Sequence, residues 1–159
     1  MQMQRNHLIN PYPLLIHQRK TMIYRSIKTT LLAILATLSL PVTAGPNDPL
    51  FVSLTNDEPH RATMALNLGG HMADAGHPLS VFLSDKGVFL GVKSGAEKYP
   101  AQQKMLSDII AKGGLVIMCP PCLRHYGFAE ADVLPGIKMG GAKVTGEALF
   151  KPNTKTLSW

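Results

Sequence analysis

Cysteine is nearly absent from this chain: two residues in 159, both within one short stretch. So few excludes a scaffold built on disulfides, and the core has to come from apolar packing. A stripe of basic residues interleaved with aromatics is missing too, which leaves nucleic-acid binding without support. Internal repeats and low-complexity segments are missing. Gly87, Gly91 and Gly95 do not have the spacing of a phosphate-binding loop. Acid is missing from residues 1–44, which carry Arg5, Arg19, Lys20, Arg25 and Lys28 but neither Asp nor Glu. The net charge of +6 therefore belongs mostly to the front of the chain. Beyond residue 44, eleven Lys and Arg face ten Asp and Glu.

What stands at the front is a positive region, the run LLAILATLSL (Leu31 to Leu40), and then Pro41-Val42-Thr43-Ala44. A membrane-spanning helix needs about 20 apolar residues, and this run offers ten. A positive region, a short apolar core and small residues at an A-x-A-like site read as a secretory signal peptide. Residues 1–44 are thus expected to be a leader, removed after Ala44, leaving residues 45–159 as one α/β domain with no stable membrane span. Met22 opens a compact positive region and is a second candidate start. Residues 1–21 then read as an upstream extension. Export implies an oxidising compartment, here the periplasm, where a close cysteine pair can rest as a disulfide.

After a flexible lead-in, GPNDP, strands alternate with helices. LFVSL (50–54), LSVFL (79–83) and LVIM (115–118) read as strands, the third buried on both faces because it lacks alternation. Ala62, Ala65, Leu66, Gly69, Met72 and Ala73 recur at helical spacing, as do Met105, Leu106, Ile109 and Ile110 after Pro100. Asn56 and Asp57 read as helix-capping residues. Gly87, Gly91 and Gly95 read as a mobile loop over the cysteine region. Short strands are expected at Ile137–Met139 and Thr156–Trp159, and a short helix near Thr145–Phe150. This order favours a mainly parallel sheet of about five strands. Active groups in such sheets sit just beyond the carboxyl ends of the strands.

The third strand runs directly into Cys119-Pro120-Pro121-Cys122-Leu123-Arg124-His125. Three chemistries fit. As working thiols, Cys119 would leave a buried strand and Cys122 would open a helix whose free amides and dipole stabilise a thiolate. Arg124 would add positive charge and His125 would assist proton transfer. As a metal module, Cys119, Cys122 and His125 supply three ligands, but a second pair at zinc-site spacing is missing. A c-type haem needs His directly after the second cysteine, where Leu123 stands. As a structural bond, the pair closes so short a loop that it stabilises weakly. His71 and His77 read as solvated or helix-capping, the scattered methionines as packing, and Trp159 as a sheet-edge or oligomer contact.

LVIM, Cys119 and a basic helix running to Gly127, together with DVLPGIKMGG and the closing TKTLSW, resemble the DsrE/DsrF/TusD family of small sulfur-handling proteins. The resemblance covers Leu50 to Trp159. It implies a flavodoxin-like three-layer fold without cofactor, frequent homo-oligomers, and a Cys119 that accepts sulfane sulfur as a persulfide from a protein donor or passes it to a protein acceptor. Cys122 departs from the family pattern, which needs only the first cysteine. It reads as a resolving or partner thiol. The expected leader departs too, placing the chemistry outside the cytoplasm. A dithiol–disulfide oxidoreductase using the same pair, or the metal module, remains the alternative.

Overall fold

The computed structural model describes residues 45–159. The expected leader, its cleavage site and the alternative start lie outside the described residues.

Five strands form one sheet: β1 (Leu50–Leu54), β2 (Leu79–Leu83), β3 (Leu115–Met118), β4 (Lys138–Met139) and β5 (Lys155–Ser158), in the order β4-β3-β2-β1-β5. Every pairing is parallel. The fold is α/β and flavodoxin-like. Val52, Val81 and Val116 share one register line, as do Leu54, Leu83 and Met118. Both lines are fully buried. Helices α1 (Pro59–Asp74) and α2 (Pro100–Ala111) cover this face. They pack through Ala62, Ala65, Leu66, Leu106 and Ile109. The small residues of α1 let it lie close to the sheet: a Cβ on Gly69 would sit 3.1 Å from a Leu79 methyl.

From β1 to β4 the chain steps in one direction across the sheet, then returns past three strands to place β5 beside β1. Parallel crossovers are right-handed, so a return in the opposite direction puts its helix on the opposite face. That helix is α4 (Ala142–Leu149), which follows the short α3 (Pro120–His125) and β4. Phe51 and Phe82 meet on this second face with ring centroids 6.1 Å apart.

Two expectations about loops are corrected. Residues 85–91 are not a mobile cover but a 3-10 helix, with Val88 and Leu90 fully buried. A Cβ on Gly87 would lie 2.1 Å from the Leu54 carbonyl oxygen. The segment therefore crosses the end of β1 at backbone contact, and glycine there serves packing rather than freedom. The lead-in is also held. Asp48 is buried, its carboxylate accepts the Gly45 N–H at 2.8 Å, and its carbonyl lies 2.9 Å from His77 Nδ1.

Candidate functional site

Cys119 sits one residue past β3, and the Cys119 N–H still donates to the Leu83 carbonyl at 2.9 Å. The residue before a proline is pushed out of the helical region, and Cys119 is extended at φ −74°, ψ 109°. Pro120 suits the first helical position because its missing N–H has no intrahelical partner there anyway. The sequence therefore makes Cys119 the N-cap of α3, and its Sγ accepts the N–H of Cys122 at 3.3 Å. Cys122 was expected to open this helix; it is instead the third residue, one turn in. The two sulfurs are bonded to each other across a Cα separation of 5.3 Å.

Cys119 is buried, 9% exposed. It lines a cavity of ≈ 470 Å³ with Phe82, Pro120, Pro121, Arg124, Gly140, Gly141 and Thr145. The wall is mostly apolar, and Arg124 is its charged residue. Gly140 follows β4, its N–H donating to the Met118 carbonyl at 2.8 Å. A Cβ there would come 2.9 Å from that oxygen and 3.2 Å from an Ile117 methyl. Gly140 thereby brings β4 and α4 close enough to wall the sulfur. Thr145 stands on α4, where its Oγ accepts the Gly141 N–H at 3.1 Å and holds the turn.

Of the four site residues expected from sequence, the structure brings Cys119, Cys122 and Arg124 together. His125 is exposed and stands edge-on to Tyr126, ring centroids 4.9 Å apart. Among the described residues no group of three His, Cys, Asp or Glu side chains is placed to hold a metal ion.

The same sheet edge carries two carboxylate–phenol pairs that sequence reasoning missed. Asp57, beyond β1, accepts hydrogen bonds from the Tyr99 hydroxyl and from Lys98 Nζ, the latter at 3.2 Å. Burial pushes the Asp57 carboxyl up, but the Tyr99 and Lys98 hydrogen bonds and the Lys98 charge outweigh it, so its pKa ends below the ordinary value. Burial and the bond to Asp57 push the Tyr99 phenol up. Asp57 is thus not the helix cap expected of it. Glu58 is: its carboxylate accepts the N–H groups of His60 and Arg61 at 3.0 and 2.7 Å. These bonds hold its pKa down. Beyond β2, Asp85 adopts φ 45°, in the left-handed region, and accepts the Tyr126 hydroxyl at 2.5 Å. Tyr126 follows α3 directly, so this bond ties the cysteine helix to the end of β2. A 42-residue separation hid the first pair; only the topology brings these residues to one edge.

The DsrE/DsrF-like family model matches residues 50–152. Two proteins described as uncharacterized align over 80 residues: MK0008 of Methanopyrus kandleri, 31% identical, and MJ0989 of Methanocaldococcus jannaschii, 29% identical. The alignments cover 50% of this chain in each case, and 66% and 70% of the relatives. The match to MK0008 thus spans just under two thirds of that protein. Two solved structures share the fold. MTH1491 of Methanobacterium thermoautotrophicum, a protein of unknown function, has a TM-score of 0.59, and the YchN protein of E. coli 0.51. Each is 16% identical to this chain over 71% of its length, covering 100% and 99% of the other chain. A parallel sheet with its sulfur pair at the end of the third strand, in a chain whose residues 50–152 match that family model, belongs to the DsrE/DsrF-like family.

Proposed function

We propose that this protein is an exported sulfur carrier in which Cys119 accepts sulfane sulfur as a persulfide, with Cys122 as its resolving or partner thiol. One observation carries the reading: Cys119 Sγ stands at the carboxyl edge of the sheet, beside a cavity and within hydrogen-bonding distance of the Cys122 amide. An amide donor and a nearby cation favour the thiolate, the form that attacks sulfur. Arg124, on the cavity wall, supplies the cation. Family membership supports a sulfur-relay-like fold and protein partners that give or take sulfur. Periplasmic location rests on the sequence of residues 1–44, and homo-oligomer formation on the family resemblance.

Intact mass of the reduced protein after exposure to a sulfane donor tests the reading. A gain of one sulfur atom that vanishes in Cys119→Ser supports it. No gain in either the wild type or Cys122→Ser, or a gain that survives Cys119→Ser, rejects it.

The Cys119–Cys122 bond favours a second reading, a dithiol–disulfide oxidoreductase. Its test is the reduction potential of the pair. A value below about −300 mV marks a structural bond and removes this alternative.

A further inference from the structure

We infer that Cys122, as the resolving thiol, lets the pair discharge its sulfur as free sulfide and so reduce low-molecular-weight persulfides. This rests on Cys119 accepting the sulfur in the first place.

A persulfide on Cys119 has two sulfurs open to attack. An outside thiol that takes the outer one receives the sulfur. A thiol that attacks the inner one, Sγ, expels the outer sulfur as hydrosulfide. Cys122 is bonded to that inner atom in the structure, across a Cα separation of 5.3 Å. Its attack therefore needs no movement of the backbone. Well-oriented groups within one molecule react with effective concentrations on the order of 10⁵ M or more. An outside thiol has no such advantage.

The two prolines weigh in the same direction. Proline has no N–H, so the first two positions of α3 offer no amide to an outer sulfur anion. The Cys122 N–H is directed at Sγ, and the Leu123 N–H is used by the Cys119 carbonyl at 2.9 Å. The helix start thus supports the inner sulfur and leaves the outer one without amide donors. Phe82, Pro120 and Pro121 add apolar wall, and the Arg124 charge offsets that of a departing hydrosulfide.

The steps balance. Cys119 thiolate attacks the outer sulfur of R–S–SH, the S–S bond breaks, and R–S⁻ leaves with the electron pair, so that Cys119 carries S–SH. Cys122 thiolate then attacks Cys119 Sγ, the bond to the outer sulfur breaks, and that sulfur departs with the electron pair as HS⁻. The dithiol has lost two electrons to the sulfane sulfur and become a disulfide. An external dithiol resets it by thiol–disulfide exchange.

The full chain, reduced and freed of reductant, is mixed without oxygen with one equivalent of glutathione persulfide. Sulfide release and intact mass are read, with Cys119→Ser as background. Wild type is expected to release one equivalent of sulfide and finish as the disulfide with no added sulfur. Cys122→Ser is expected to keep one added sulfur and release sulfide roughly a hundredfold more slowly, since it has lost the intramolecular thiol. Replacing Pro120 and Pro121 by Ala is expected to lengthen the life of the adduct severalfold. A wild type that holds added sulfur as stably as Cys122→Ser, releasing no sulfide, overturns the inference and leaves the carrier reading standing. If neither form takes up sulfur, both readings fall. The wild-type protein alone separates these outcomes, whatever the variants' folding.

Discussion

Two cavities lie at opposite edges of the sheet. The one at the amino edge, ≈ 330 Å³ between the ends of α1 and α2, is the richer in titratable groups: His71, Asp74, His77, Asp108 and Lys112. Yet those groups are mostly engaged. Lys112 pairs with Asp74 and Lys104 with Asp108, each at 2.6 Å, and His77 is bonded to the Asp48 carbonyl. The cavity at the carboxyl edge has a single charged residue and an apolar wall, but it holds the sulfur pair. On the function proposed above, density of ionisable side chains is a poor guide to chemistry in this molecule. Reactive atoms left at an edge where strands end are a better one.

The contrast can be broken most sharply by substitution at each edge. Cys119→Ser is expected to abolish sulfur uptake, read by mass against Cys122→Ser, which keeps the added sulfur. His71→Ala is expected to leave uptake unchanged, and a loss there would reverse the assignment of the two cavities. Next in size is Gly87→Ala, whose new Cβ would meet the Leu54 carbonyl oxygen at 2.1 Å. A backbone clash of that kind at a buried crossing should cost more than about 3 kcal/mol in denaturant unfolding. Tyr99→Phe removes one hydrogen bond to a half-buried carboxylate and should cost about 1 kcal/mol. It should also raise the Asp57 pKa, followed by carboxylate NMR.

The smallest effect concerns pH. Glu58 has a folded pKa below its unfolded one because the His60 and Arg61 amides favour its charged form. Its contribution is therefore complete above the unfolded value, about 4.3, and fades as pH falls through the folded one. The stability difference between wild type and Glu58→Ala should shrink on acidification and vanish in strong acid. A constant difference would show that the cap acts without its charge.

Much of the architecture was legible because local pattern and burial agree. LVIM has no alternation and is buried along most of its length. The proline after Tyr99 starts a helix, as its fixed φ and missing N–H dictate. What escaped was set by distant contacts. Gly87 and Gly91 look like loop residues, and their close approaches to Leu54 and Met118 appear only once the strands are assembled. Asp57 looks like a capping residue until Tyr99, 42 positions later, takes its carboxylate. At the site, Cys119 and Arg124 could be found from the strand end and the helix after it. Gly140, Gly141 and Thr145 could not, since nothing local connects them to a cysteine more than twenty residues earlier.

The final strand lies beside the first one, with the Trp159 carbonyl taking both the Thr55 N–H and the Thr55 hydroxyl. Until residues 155–158 dock, β1 keeps one row of amides and carbonyls unpaired. Such an open edge invites pairing with other chains, and so distant a partner slows folding. The order of the strands thus makes closure of this edge a long-range event, and a folding chain depends on docking β5 before a neighbour supplies a strand.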